Sequence, residues 1–221
     1  MSKGASLVGF ADLTGIPQQH RDPMKFGVSI AVALDAPTIE GISNGPTARY
    51  RAEYRRANAL LSELAKCCAD LIGDSGYRAI PKEPTGIGID TRTQSTSLPH
   101  KTVATRAGLG WVGKCALLIT KEYGSAVRIT TVLTDAPLKT ANPVNDSLCG
   151  DCVNCVESCP GSAPSGKDWN VSLHRNSFFD AFACAEAARQ QAITNIGIHD
   201  TICGICIAAC PWTLKYIQRS R

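Results

Sequence analysis

Cysteine spacing constrains this chain more than any other feature. Cys149, Cys152, Cys155 and Cys159 follow one another with two, two and three residues between them, and Pro160 closes the run. Chains that hold two [4Fe–4S] cubes have this spacing. Three thiolates on one tight loop take three corners of a cube, and the fourth begins a new segment directed at a different cube. A partner run is therefore required, and Cys203, Cys206 and Cys210-Pro211 supply it near the C-terminus.

Two other readings of the cysteines are weaker. Disulfide scaffolds are short, secreted chains, whereas this one has 221 residues and seven of its eleven cysteines fall in the two runs. Zinc sites also use Cys-x-x-Cys pairs, but do not call for a third cysteine at the same interval and a fourth before proline. A reducing compartment follows. No apolar run reaches membrane-spanning length, and Met1-Ser-Lys-Gly is not followed by a signal-peptide core, so a cytoplasmic protein without a membrane partner is expected. The net charge of +4 is mild and scattered, which argues against a nucleic-acid surface as the main business.

A regular second run would place cysteines at 200, 203, 206 and 210, but position 200 is Asp200. The nearest spare thiol in this half is Cys184. By the crossover rule, Cys149, Cys152, Cys155 and Cys210 form one ligand set, and Cys159, Cys184, Cys203 and Cys206 the other. Asp200 as an oxygen ligand, or an iron left open, is the competing arrangement; thiolate is the softer match to iron–sulfur.

Ahead of the cysteines, Leu7 to Phe10, Phe26 to Leu34 and Tyr77 to Ile80 read as strands. From Pro46 to Ile72, apolar residues recur at three- and four-residue steps (Tyr50, Tyr54, Ala57, Leu61, Leu64, Cys68, Ile72), which predicts an amphipathic helix ending at Gly73. Its Arg49, Arg51, Arg55 and Arg56 form a solvated face, and Cys67 and Cys68 are ordinary helix residues, with Cys68 on the core side. Pro81 to Pro84 is a break before Gly86 to Asp90, and a helix is expected from Pro99 to Ala107. Cys115 to Thr120 and Ala126 to Thr134 read as a β-hairpin across Lys121 to Gly124, with Cys115 structural. Residues 136 to 148 read as a linker, and Phe178 to Gln191 as a helix carrying Cys184. The expected organisation is α+β: an α/β sandwich over residues 1–140 and a ferredoxin-like two-cluster module over 141–221.

Gly108-Leu-Gly110-Trp-Val-Gly113 matches G-x-G-x-x-G, but a dinucleotide site needs a strand before it and a helix after it. Here the order is reversed. The glycines instead suit a tight turn, or backbone approaching another backbone or a large flat ligand.

Arg106-Ala-Gly-Leu-Gly-Trp-Val-Gly-Lys114, Leu117-Leu-Ile-Thr, Val132-Leu-Thr-Asp135, the eight-cysteine pattern and Cys210-Pro-Trp212 together resemble epoxyqueuosine reductase and its relatives, the reductive dehalogenases. The resemblance implies a nitroreductase-like domain holding cobalamin beside a ferredoxin-like module with two [4Fe–4S] clusters that carry electrons to cobalt. Arg106, Gly108, Gly110, Trp111, Gly113 and Lys114 are the candidates to bind the cofactor: Arg106 and Lys114 suit its anionic groups, and Trp111 either packs on the macrocycle or, as tryptophan more often does, sits in the core. The family's catalytic aspartate falls about seventeen residues before Trp111, where this chain has Gln94, and an amide is no acid. His100 and Lys101 then become the candidates to supply a proton. His20, His174 and His199 have no such context. The helical-repeat domain that helps epoxyqueuosine reductase grip tRNA has no counterpart here, so no tRNA partner is expected. The expected partners are a low-potential electron donor and either a small-molecule substrate or a corrinoid protein.

Two functions fit. One is a small enzyme that reduces a corrinoid or a bound substrate through two clusters. The other is a non-enzymatic carrier that docks a corrinoid or other redox partner without its own cobalamin. Retention of the glycine turn favours the first, and loss of the acid favours the second.

Overall fold

The computed structural model describes residues 4–85 and 88–221; Gly86 and Ile87, part of the Gly86 to Asp90 segment, lie outside the described residues. In chain order the elements are β1 (Leu7–Asp12), β2 (Phe26–Ala33), α1 (Ala36–Glu40), α2 (Ala48–Asp74), β3 (Ala79–Pro81), α3 (His100–Arg106), β4 (Trp111–Val112), β5 (Leu118–Ile119), β6 (Val127–Thr134), α4 (Asn154–Glu157), α5 (Ala181–Ile196), α6 (Ile205–Ala208) and α7 (Pro211–Arg219). Among the described residues, no helix is long and apolar enough to cross a membrane.

The chain divides into two compact units. The first comprises Met1–Ala33, Arg56–Gly110 and Arg128–Val144, and the second Leu34–Arg55, Trp111–Val127 and Asn145–Arg221. This is not a single cut between residues 140 and 141. Segments 34–55 and 111–127 join the cysteine-bearing unit because tertiary hydrogen bonds hold them there: Tyr216 Oη donates to Leu34 O at 2.9 Å, and Ser125 N donates to Thr213 Oγ1 at 3.1 Å.

In the first unit, a four-stranded sheet runs β1-β2-β6-β3. β1 and β2 are antiparallel from Leu7↔Ala31 to Asp12↔Phe26, and β3 and β6 from Ala79↔Thr134 to Pro81↔Val132. Apart from the buried Ser29, β2 is apolar because it is an interior strand, buried over Gly27 to Val32. Helix α3 packs on β1 and β2, and Ala11, Leu13, Met24, Val103, Ala107 and Leu133 form a core there. On α2, the buried Tyr50, Ala57, Leu61 and Leu64 follow the predicted stripe. The expected linker is instead a strap: Ala141 N donates to Phe10 O at 3.0 Å and Val144 N to Thr105 O at 2.9 Å.

In the second unit, Asp35 caps α1 by accepting from Thr38 N at 3.0 Å. Asp180 caps α5, accepting from Phe182 N and Ala183 N at 2.9 and 3.0 Å. The predicted hairpin of residues 115–134 is corrected. β5 pairs with β4, in the register Trp111↔Ile119 and Val112↔Leu118, and β6 joins the four-stranded sheet. The chain reverses immediately after Val112, where Ala116 N donates to Gly113 O at 2.8 Å and Gly113 N to Leu117 O at 2.9 Å. Cys115 therefore sits in a turn and not in a strand.

Candidate metal centre

Both cysteine runs fold into the same local form. In the first, Cys152 N donates to Cys149 O at 3.2 Å, the single turn α4 follows, and Cys159 N closes on Val156 O at 3.3 Å before Pro160. In the second, Cys203 precedes Gly204, the single turn α6 follows, and Cys210 caps α7 with Pro211 in its first turn. Gly204 has φ +94°, and a Cβ there would lie 2.6 Å from Ile42 Cδ1 and 3.0 Å from the Tyr50 ring. Only glycine satisfies that turn. α4 packs against α6, and Asn154 Nδ2 donates to Ala209 O at 3.4 Å.

A cavity of about 100 Å³ opens inside this unit, walled by Cys149, Cys152, Cys155 and Cys210 together with Gly113, Lys114, Cys115, Ile119, Pro211 and Trp212. Its thiols are the first ligand set inferred from spacing, contributed by both runs. They ring a space instead of converging on a point: among the described residues, no three His, Cys, Asp or Glu groups are gathered as a single ion would need. Each iron of a cube takes one thiolate, so four thiols around one space suit a cube. A Cβ at Gly113 would stand 2.8 Å from Ile119 Cγ1 and 3.5 Å from Cys149 Sγ, so glycine keeps this wall open.

Of the second set, the structure brings Cys203 to Cys159. Cys203 is close enough to Cys159 for the two to act on each other electrostatically, and Ala163 N donates to Cys159 Sγ at 3.4 Å. Cys184 lies in the first turns of α5, and a Cβ on Gly161 would meet Ala183 O at 2.7 Å, so the Pro160-Gly161 turn presses against that part of the helix. Asp200 is turned to Arg51, whose Nε donates to its Oδ2 at 2.8 Å.

Burial pushes the Cys210 and Cys203 thiols up, and the neighbouring Cys149 and Cys159 act in the same direction. Cys155 is pushed up by the hydrogen bond it shares with Cys115 and then by burial. A metal binding there would have to displace their protons.

The residues read as cofactor-binding divide between the units. Arg106, Gly108 and Gly110 belong to the first, and Trp111, Gly113 and Lys114 to the second. Arg106 Nε is buried without a hydrogen-bond partner among the described residues. Gly108, at φ +69°, lets the turn approach Asn142 O, which a Cβ would meet at 3.0 Å. Gly110 is buried. Trp111 is 1% exposed and packs edge-on against Trp212 with ring centroids 5.2 Å apart. Lys114 is buried, donates from Nζ to Gly150 O at 2.6 Å, and lies 3.9 Å from Asp168 Oδ1. Gly113 and Lys114 line the cysteine cavity, because the reversal after Val112 turns them towards Cys149.

At the position of the family's acid, Gln94 has φ +50° and donates from its amide to Thr91 O at 3.1 Å. His100 Nε2 lies 2.9 Å from Glu83 O and Nδ1 3.0 Å from Thr131 Oγ1. A carbonyl only accepts, so Nε2 carries the proton and Nδ1 accepts from the threonine. With both nitrogens engaged, His100 ties α3 to β6 and is not poised to give up a proton. Lys101 stands half-buried beside it on α3. A separate cavity of about 720 Å³ in the first unit is apolar, lined by Phe10, Leu64, Cys67, Cys68, Tyr77 and neighbours, and none of the expected cofactor residues is in its described lining.

Spacing alone missed Cys115, which is 4% exposed and in the cavity wall. Nothing within the short window around it signals that position.

Residues 148–213 match the family described as the 4Fe-4S double cluster binding domain. The chain is 31% identical over 177 residues to the epoxyqueuosine reductase of Synechococcus sp., covering 78% of this chain and 51% of that one. Against the epoxyqueuosine reductase of Gloeobacter violaceus it is 31% identical over 199 residues, covering 84% and 56%. It thus spans about half the length of these relatives. Among solved structures, the catabolic reductive dehalogenase NpRdhA superposes with a TM-score of 0.73 at 19% identity, over 97% of this chain and 31% of that one. An epoxyqueuosine reductase solved with a tRNA-Tyr epoxyqueuosine-modified stem loop gives 0.63 at 20% identity, over 96% and 63%. The chain therefore has the mixed α/β fold of these proteins together with a double-cluster domain. The expected absence of a tRNA partner is corrected: relatives in sequence are epoxyqueuosine reductases, and one protein of the same fold was solved on tRNA.

Proposed function

We propose, from the chain's similarity to the epoxyqueuosine reductases and its double-cluster domain, that it is an iron–sulfur reductase delivering single electrons to a corrinoid held by its nitroreductase-like first unit. The observation that carries the reading is the cavity ringed by Cys149, Cys152, Cys155 and Cys210, thiols drawn from two runs and joined by the tertiary fold. Cys159, Cys184, Cys203 and Cys206 would hold the second cluster. When bound, two [4Fe–4S] clusters supply a one-electron relay and a corrinoid supplies the low-potential metal that performs the reduction.

The chain's own residues have distinct tasks in this reading. Lys114 places a buried positive charge beside the thiolates, Ala163 N donates to Cys159 Sγ, and Ile119, Pro211 and Trp212 keep water from the first cluster. Arg106 would take an amide or phosphate group of the corrinoid, since its buried Nε has no hydrogen-bond partner among the described residues, and Gly108 and Gly110 would leave room for it. Trp111, Gly113 and Lys114 serve the cluster side. Lys101 is the remaining candidate for proton delivery. The substrate class carried over from the relatives is an epoxide of a modified tRNA nucleoside. A non-enzymatic carrier is less well supported, because the relatives are reductases.

Anaerobic reconstitution should yield about eight iron and eight sulfide per chain. The reconstituted protein would then be incubated with cob(II)alamin, desalted and examined by absorption and electron paramagnetic resonance, and assayed on an epoxyqueuosine-bearing tRNA stem loop. Fewer than two cubes would overturn the relay, and no retained cobalt the corrinoid step. Cobalt retention without tRNA conversion would point to another substrate.

A further inference from the structure

Three cysteines stand outside the two ligand sets. Cys67 and Cys68 lie on α2 against the apolar cavity of the first unit. Cys115 is different: it is 4% exposed, stands in the wall of the cysteine cavity with Cys155, and is close enough to Cys155 and Cys206 for their thiols to act on one another. Those two thiols belong to different ligand sets in the function proposed above, on which this inference rests. Cys115 therefore stands beside one thiol of each set.

Its placement is built. Gly113 N and Ala116 N close the turn on either side, Lys114 is tied to Gly150 O at 2.6 Å, and Ala116 packs with Val112 and Phe178 in a local core. The sulfur has little freedom to leave. A thiol is a weak donor, and metal-bound thiolates are acceptors. A donor placed on a ligand sulfur stabilises the more negative, reduced cluster and raises its potential.

We propose that Cys115 is a positioning residue of the electron relay, donating S–H···S to the coordinated sulfur of Cys155 or Cys206 and so setting the relative potentials of the two clusters. No ligand bond to iron is required of it.

The test uses the full reconstituted chain as wild type, Cys115→Ala, Cys115→Val and Cys115→Ser. Valine fills the space without a donor, and serine restores one. Iron and sulfide content should stay at about eight each in all four. Redox titration followed by electron paramagnetic resonance should show at least one cluster potential moved to more negative values in the alanine and valine variants, with a tenfold or greater change in how one electron divides between the clusters. Serine should recover much of the difference. Unchanged potentials in both apolar variants would overturn the proposal, as would loss of iron from them, which would make Cys115 a ligand. Fewer than two clusters in the wild type would overturn the ligand sets themselves, a failure distinguishable from that of Cys115.

Discussion

Arg51 Nε donates to Asp200 Oδ2 at 2.8 Å, so the residue standing where a regular second run would have a cysteine is turned to a helix-borne arginine. The pair is half-exposed, and such contacts contribute only about 0 to 1 kcal/mol. That alone would not keep Asp200 from iron; the preference of iron–sulfur for thiolate favours Cys184 as the ligand. We expect Asp200→Ala to keep about eight irons and Cys184→Ser to lower the count or convert one cube to a three-iron form. The reverse result, by iron analysis and electron paramagnetic resonance, would make Asp200 the ligand.

Lys114 is buried beside the Cys149 loop, with a carboxylate no nearer than 3.9 Å at Asp168. Its charge favours the reduced cluster. Replacing it by Met should move the potential of the nearer cluster to more negative values by on the order of 60 mV, a tenfold change for one electron. A titration showing no displacement would mean that Asp168 and solvent already cancel the charge.

At Gly204, alanine would be strained by φ +94° and would press on Ile42 and Tyr50. We predict a loss of about 1 to 3 kcal/mol in unfolding free energy for Gly204→Ala, measured by denaturant titration of the apo chain. A neutral variant would show that the turn before α6 relaxes freely.

Burial lowers the pKa of His100 from its ordinary 6.5, with Arg128 and Lys82 adding to the effect against the Glu83 carbonyl. The folded state thus binds this proton less readily than the unfolded one, so its contribution is intact above pH 6.5 and is lost as pH falls through the folded value. Apo stability should start to decline just below pH 6.5, above the range where Asp12 and Asp35, both lowered from 3.8, begin to protonate. His100→Asn should flatten that upper part of the profile. A profile unaltered by the substitution would place the loss elsewhere.

Raised thiols at Cys155, Cys203 and Cys210 mean that iron must displace protons. Cluster reconstitution should therefore be faster and more complete at pH 8.5 than at pH 7, followed by absorption, with proton release on iron binding. Equal yields would argue that the loop holds thiolates already.

What was legible in the chain was local. The intervals between Cys149 and Cys159 and between Cys203 and Cys210 dictate short loops closed by proline, because covalent reach sets which thiols share a turn. The stripe from Tyr50 to Leu64 predicted α2 because helical period is a property of neighbouring residues. Strand pairing was not legible: β5 is a two-residue strand, and the turn at Ala116, at φ +57°, sent it back to β4 and left β6 to the four-stranded sheet. Long-range placement likewise lay outside sequence reasoning. Arg51 reaches Asp200 across 149 positions, Lys114 reaches Gly150 across 36, and Cys115 meets Cys155 and Cys206. By itself, the sequence determined which thiols are available and which can share a loop, since both follow from spacing along the backbone. Which loops face one cavity, and which charge and spare thiol stand in its wall, only tertiary packing decided, because those contacts come from burying distant segments against each other.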